Sequence, residues 1–150
     1  MGDRELNLLR AVGEIGKLPE SRVTALSSFY ETSPVGNFNQ DAFYNAVLRL
    51  ATRLDARDLL NSLLRIESEV FKRVRTVHHG PRRMDLDLLL FGDQVINGDE
   101  LTVPHPRLVE RRFVLQPLCD IAAQVRHPLS GQTMTELLSA LKTDEKITKL

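Results

Sequence analysis

The sequence predicts an α+β fold, with helices packed on a mostly antiparallel sheet. Two observations carry that expectation. Apolar residues recur at helical spacing in Leu6, Leu8, Leu9, Val12 and Ile15, in Leu59, Leu60, Leu63, Leu64 and Ile66, and over Thr135 to Leu141. Between these stretches lie alternating runs rich in β-branched and aromatic residues, Val23 to Thr32 and Phe43 to Thr52, and then an apolar run from Met84 to Phe91. The order is α-β-β-α-β, followed by a hairpin and further helices. Helices covering one face of such a sheet give an α/β sandwich. The 150 residues suffice for one domain with a real core, taken as 1–150.

Each element has a local cause. Asp3 can cap the first helix, and Gly16 and Pro19 end it. Val23 to Thr32 reads as one strand and Phe43 to Thr52 as a second, antiparallel to it, joined through the turn-rich Ser33-Pro34-Val35-Gly36-Asn37. Asp55 caps the second helix. Arg73 to Arg83 is a basic loop, and Met84 to Phe91 is expected to be the central strand. Gly92-Asp93 turns the chain into Gln94-Val95-Ile96, and Asn97-Gly98 turns it again. Pro104-His105-Pro106 opens a loop before a short helical stretch near Leu108 to Leu118. After the last amphipathic helix the charged tail is expected to fray. A ferredoxin-like β-α-β-β-α-β sheet needs a strand before the first helix, whereas this chain begins almost at the helix.

Composition excludes several classes. Twenty basic and 20 acidic residues leave a net charge of +0, so no global field draws nucleic acid or an anionic membrane. Any attraction for phosphate must be local. Cys119 is the only cysteine, which rules out an intrachain disulfide and a cysteine zinc cluster; it reads as a small buried hydrophobe. No apolar run is long enough to span a membrane, and the N-terminus is too polar for a signal peptide. The expected location is cytoplasmic.

The chemistry concentrates in His78-His79-Gly80-Pro81-Arg82-Arg83-Met84-Asp85-Leu86-Asp87-Leu88. In a strand, Asp85 and Asp87 share one face while Leu86 and Leu88 point to the other. Two neighbouring carboxylates repel unless a proton or cation neutralises them. Mg2+ suits such all-oxygen ligands and normally brings phosphate with it. Arg73, Arg75, Arg82 and Arg83 fit phosphate oxygens better than they fit a core. A D-x-D pair alone is more often the solvent face of an edge strand. The Gly-Pro-Arg turn and the flanking arginines weigh against that here.

Other sites are weaker. There is no P-loop and no G-x-G-x-x-G motif, so neither a P-loop nor a Rossmann site is expected. His78, His79, His105 and His127 lack a tight metal-ligand spacing, but Pro104 and Pro106 fix the backbone of His105, whose imidazole could then hydrogen-bond a phosphate. Phe43 and Asn45 share a strand face, and Phe113 follows Arg111 and Arg112. Aromatic rings with an amide between them suit a flat heterocycle, although either Phe alone reads more simply as core.

Taken together, these segments resemble the 6-hydroxymethyl-7,8-dihydropterin pyrophosphokinase family over nearly the whole chain. The resemblance rests on Ser27-Ser28-Phe29-Tyr30-Glu31-Thr32, Phe43-Tyr44-Asn45-Ala46-Val47, Gly80-Pro81-Arg82-Arg83-Met84-Asp85-Leu86-Asp87, Leu101-Thr102-Val103-Pro104-His105 and Arg111-Arg112-Phe113-Val114-Leu115-Gln116-Pro117-Leu118. It implies transfer of pyrophosphate from ATP to the hydroxymethyl group of the reduced pterin, with release of AMP. By the same resemblance Asp85 and Asp87 bind two Mg2+ ions, and Arg73 and Arg82 sit at the transferred group. Glu67, Arg75, Arg82, Leu88, Thr102, His105 and Arg111 match ATP-contacting positions. Phe43 and Phe113 would stack the pterin, Asn45 would read its edge, and the chain near Thr32 and Val35 would help. The fold implied is a ferredoxin-like α/β sandwich without its usual first strand.

The sequence also departs from the family. The usual first strand and its Gly-Ser-Asn segment would lie before Met1, so the sheet is expected to lack an interior strand. His79 and Pro106 replace common aromatics, Glu100 replaces a frequent basic residue, and the stretch from Ile66-Glu67 to Arg73 is one residue longer. The family is typically monomeric, with a dimer as the alternative if the sheet lacks that strand. The alternative function is a shortened, weakly active or inactive pterin- or nucleotide-binding module.

Overall fold

The computed structural model describes residues 2–33, 42–71 and 84–150. Helix α1 (Gly2–Gly16) already includes Asp3 in its first turn, so Asp3 is not its cap. The helix closes where Lys17 and Leu18 donate back to the carbonyls of Glu14 and Ile15. Strands β1 (Ser21–Leu26) and β2 (Tyr30–Ser33) follow, then β3 (Phe43–Asn45) and β4 (Leu48–Thr52). Helix α2 (Ala56–Ile66) begins at the expected cap, with the Asp55 carboxylate accepting from Asp58 N at 2.8 Å. It widens into a π-helical turn over Glu67–Phe71.

The two strands expected over Val23 to Thr32 and Phe43 to Thr52 are each broken in two. Ser27 is the reason. Its backbone N still donates to the Val47 carbonyl at 2.8 Å, but its hydroxyl takes the return bond, accepting from Val47 N at 2.9 Å and donating to the Ser28 carbonyl at 2.8 Å, so the ladder stops there. The Asp120 carboxylate then takes Ser28 N at 3.2 Å and the Tyr30 hydroxyl at 2.8 Å, which holds the bend. Burial and Asp120 together push the Tyr30 hydroxyl up to about 12. On one side of the bend β1 pairs with β4, with a bulge between Val23 and Ala25. On the other side β2 pairs with β3. All strand pairs among the described residues are antiparallel.

The charged tail does not fray. It forms β7 (Lys146–Lys149) on the outer side of β2, giving a three-stranded sheet in the order β3-β2-β7. From Leu141 to Thr148 half-buried and exposed residues alternate, the period-2 signature of an extended chain with one covered face. The hairpin pairs β5 (Ile96–Asn97) with β6 (Thr102–Val103), so Asn97 is a strand residue and the turn starts at Gly98. A single 3-10 turn (Leu108–Glu110) precedes helix α3 (Arg112–Ala122), which breaks the expected helix at Arg111. Helix α4 (Met134–Ala140) starts in a reciprocal capping box between Thr133 and Glu136.

Met84 to Phe91 is extended but, contrary to expectation, joins no ladder among the described residues. Side chains rather than backbone rungs hold it. Met84, Leu86, Leu88 and Phe91 pack into a core built on Ala11, Ile15, Leu59, Leu63, Ile66 and Phe71, beneath Leu48 and Leu50 of β4. Leu89 and Leu90 enter a second core around Leu108, Leu115 and Met134. Leu88 and Phe91 also touch a third, around Ala56, Leu101 and Val103. At roughly 1.5–3 kcal/mol per large apolar side chain removed from water, these contacts can hold the segment without a ladder. Cys119 is half-buried at the margin of the second core, and burial pushes its thiol up.

His127 is a buried exception to the polar surface. Its Nδ1 accepts from Leu129 N at 3.2 Å and Ser130 N at 3.4 Å, closing the turn before α4. Burial pulls its pKa below the ordinary value. The unfolded chain therefore takes up a proton that the folded one refuses, and stability is lost as pH falls below the unfolded-state value. Thermal melts are expected to show a fall in Tm between about pH 7.5 and about pH 5.5. That fall is expected to be smaller in His127→Asn, whose side-chain oxygen accepts the same bonds without titrating.

Candidate functional site

The site begins on the extended segment. Asp85 and Asp87 are exposed, while Met84, Leu86 and Leu88 are half-buried. The alternation puts both carboxylates on one outward face, as expected. Two hydrogen bonds fix the segment at either side of Asp87. Glu67, from the π-helical turn, accepts from Leu86 N at 2.5 Å, and the Leu89 carbonyl accepts from His105 N at 2.8 Å. The structure thus gives Glu67, a candidate ATP contact, a place in anchoring the acidic segment. The Leu88 side chain faces the core, so any nucleotide contact there falls to its backbone. Thr102, on β6, is half-buried and donates to the Gly98 carbonyl at 3.2 Å.

His105 stands beside this face. Its Nδ1 accepts from Arg107 N at 3.1 Å, which leaves the neutral ring's proton on Nε2 as a donor. Burial lowers its pKa; Asp87 opposes that shift, and Arg111 and Arg107 add to it. Asp87, Arg107 and Arg111 are therefore each close enough to act on the His105 ring. Two carboxylates amid arginines and a neutral imidazole can hold a cation on one side and phosphate oxygens on the other. No group of three or more His, Cys, Asp or Glu side chains that could hold a metal occurs among the described residues. An ion on Asp85 and Asp87 would fill its remaining positions with water and phosphate oxygens, which is the habit of Mg2+.

The aromatic half is continuous with this charged half. The Arg111 guanidinium lies 5.4 Å from the centre of the Phe113 ring. Phe113 meets Phe43 edge to face, with centroids 5.3 Å apart and planes at 88°. Register explains the pairing of distant residues. Phe43 sits opposite Thr32, and Thr32 opposite Ile147, so all three project from one face of the β3-β2-β7 sheet. The buried Thr32 hydroxyl donates to Asn45 Oδ1 at 3.1 Å, and Asn45 Nδ2 donates to the Phe113 carbonyl at 2.5 Å. Asn45 keeps one lone pair and one N–H for a ligand. A flat heterocycle stacked between parallel rings needs about 7 Å between their planes, two ordinary contact distances. Phe43 and Phe113 must therefore turn and part to admit one.

The structure links Thr32, Asn45, Phe113 and Phe43 by hydrogen bonds and ring contact, Phe113 to Arg111, and Arg111 and Asp87 to His105. Val35, Arg73, Arg75 and Arg82 lie outside the described residues, as do His78, His79 and Arg83. Sequence reasoning missed Arg107, which orients His105, and Glu145, whose Oε1 accepts from Arg112 N at 2.7 Å. The two-residue spacing of Leu141, Thr143 and Ile147 around Glu145 is the sequence signal that could have found it. Two open surface clefts, one between α1 and α2 and one at the end of the β1–β4 ladder, contain none of the candidate residues.

Residues 1–123 match the model of the 7,8-dihydro-6-hydroxymethylpterin-pyrophosphokinase family. The chain belongs to this family. It is 45% identical over 137 residues to the 2-amino-4-hydroxy-6-hydroxymethyldihydropteridine pyrophosphokinase of Bacillus subtilis, covering 91% of this chain and 81% of that protein. It is 44% identical over 130 residues to the protein of the same name from Pseudomonas aeruginosa, covering 87% and 79%. The folic acid synthesis protein fol1 of Pneumocystis carinii is 40% identical over 131 residues, where 87% of this chain spans 17% of that longer protein. No described helix is long and apolar enough to cross a membrane.

The Glu67 anchor is testable apart from catalysis. Glu67→Ala removes a charged acceptor from Leu86 N, and denaturant unfolding is expected to show a loss of about 1.5–3 kcal/mol. Glu67→Gln, which keeps an oxygen acceptor, is expected to recover a large part of it. Equal losses in both variants would mean that the carboxylate stabilises the fold by another route.

Proposed function

We propose that this chain transfers pyrophosphate from ATP to 6-hydroxymethyl-7,8-dihydropterin, giving AMP and the pterin diphosphate in folate synthesis. Within the family, the observation that carries the reading is the single exposed face of Asp85 and Asp87 beside His105 and Arg111, joined through Phe113 to an aromatic slot. A phosphate donor and a flat acceptor would thus bind side by side. The pterin hydroxyl oxygen forms a bond to the β-phosphorus and gives up its proton to solvent, the bond from that phosphorus to the AMP oxygen breaks, and AMP leaves.

In this reading Asp85 and Asp87 hold two Mg2+ ions, which when bound supply charge neutralisation along the triphosphate. His105, through Nε2–H, and Arg111 take phosphate oxygens. Thr102, Arg75 and the backbone at Leu88 complete the nucleotide seat, with Glu67 at its edge. Arg73 and Arg82 belong at the transferred group. Phe43 and Phe113 stack the pterin, Asn45 reads its edge with its remaining donor and acceptor, and backbone near Thr32 and Val35 assists. No side chain is assigned as general base, because positioning and electrostatics can carry phosphoryl transfer. The whole is one ferredoxin-like domain, 1–150. We place it in the cytoplasm as a monomer.

The test is AMP release with and without the reduced pterin. AMP is expected only when both the pterin and Mg2+ are present. Asp87→Ala is expected to lower kcat by about 100- to 1,000-fold or more while far-UV circular dichroism stays unchanged. AMP or ADP formed without pterin would indicate a hydrolase instead. Full turnover by Asp87→Ala would remove the metal assignment.

A further inference from the structure

We propose that Glu145, in the C-terminal tail, is a positioning residue that sets the aromatic slot by capping helix α3. The argument starts from a helix without a cap of its own. The residue before α3 is Arg111, whose side chain makes no capping hydrogen bond and, being donor-only, cannot accept one. The first N–H groups of any helix have no partner inside it. In α3 the amides of Val114 and Leu115 already bond to the Arg111 carbonyl. The Arg112 amide is taken instead by Glu145 Oε1 at 2.7 Å, across 33 residues of chain. A carboxylate there also meets the positive end of the helix dipole.

The slot depends on this bond because Phe113 is the next residue. Phe113 is held from two directions. Its carbonyl accepts from Asn45, which accepts from Thr32 on β2. The amide just before it is held by Glu145, which extends from β7, and β7 pairs with the same β2. The pairs Thr32↔Ile147 and Ser33↔Lys146 fix how far Glu145 reaches toward α3. The first turn of α3 is thus fastened at two adjacent residues by two arms of one strand. A ring that must part from Phe43 to admit a ligand needs a fixed backbone to return to. Without Glu145 only the Asn45 arm remains, and Phe113 loses its defined position opposite Phe43.

The inference rests on Phe43 and Phe113 being the pterin slot, so the experiment tests the slot and the clamp separately. Steady-state kinetics with ATP, Mg2+ and the reduced pterin are measured for Glu145→Ala, Glu145→Gln, Lys146→Ala and Phe113→Ala, together with amide hydrogen exchange at Arg112. Glu145→Ala is expected to raise the pterin KM by about five- to ten-fold, in line with loss of a helix cap, with kcat and the ATP KM within about two-fold. Exchange at the Arg112 amide accelerates in the same variant. Glu145→Gln, whose amide oxygen still accepts, returns the pterin KM close to the starting value. Lys146→Ala, at an exposed neighbour on β7, changes neither KM. If Glu145→Ala does not fold, Glu145→Asp serves, because one methylene fewer withdraws the carboxylate from Arg112. An unchanged pterin KM with faster Arg112 exchange overturns the positioning role and leaves the slot standing. An unchanged pterin KM in Phe113→Ala overturns the slot and the proposal with it. Equal losses in kcat and both KM values, unrescued by glutamine, would make Glu145 merely structural and also overturn it.

Discussion

The site depends on one extended segment that must be apolar on one side and anionic on the other. Met84 to Leu88 meets both demands by alternating half-buried and exposed side chains, and Leu89 to Phe91 adds apolar contacts beyond it. Its inward side chains touch all three apolar clusters, so it cannot shift by one residue without moving leucines into water and carboxylates into the core. Register is thereby fixed by burial, although no ladder bonds it among the described residues. Glu67 and His105 pin the backbone at either side of Asp87. The π-helical turn that carries Glu67 and the loop that carries His105 are therefore coupled to the acidic pair through backbone atoms.

The charged and aromatic halves are joined by Arg111. Its cation lies over the Phe113 ring and also acts on His105. A guanidinium over an aromatic face gains from the ring's electron-rich face, and its charge at the same time disfavours protonation of the neighbouring imidazole. The consequence for His105 is a low pKa, despite Asp87 pulling the other way, because burial leads. A neutral imidazole keeps Nδ1 free to accept from Arg107 N and presents Nε2–H outward. A protonated ring would lose the Arg107 bond and the orientation it gives.

Much of this was legible in the sequence where local rules decide. The Asp55 cap, the shared face of Asp85 and Asp87, and the antiparallel pairing before α2 follow from spacing and capping chemistry, and each is present. The readings that failed did so where tertiary partners override local pattern. Val23 to Thr32 has continuous strand composition, yet the Ser27 hydroxyl and the Asp120 carboxylate bend it, and Asp120 lies 90 or more residues away in sequence. Met84 to Phe91 has the composition of a central strand but is held by side-chain burial instead of rungs. The tail reads as solvated because charge dominates it, while the half-buried Ile147 pairs opposite Thr32 and seats it on β2. The Phe43–Asn45–Phe113 group was suggested from chemistry alone, since no local rule places residues 43 and 113 together.

That last point bears on how the molecule holds its site. The aromatic wall draws on β2, β3, the first turn of α3 and the tail, and the charged wall on the acidic segment, the His105 loop and Arg111. None of these walls exists in an unfolded chain, because no two of them are adjacent in sequence apart from Arg111 and α3. A ligand that needs both walls binds the folded state alone, so its binding free energy adds to stability, by about 2.7 kcal/mol at a hundredfold excess over Kd. The bonds that close the walls lie at their joints: Glu67 to Leu86, Asn45 to Phe113 and Glu145 to Arg112. Each places a side-chain acceptor or donor on a backbone group that lacks a ladder or helix partner. The same unsatisfied backbone that would weaken these segments in isolation is therefore what fixes them to one another.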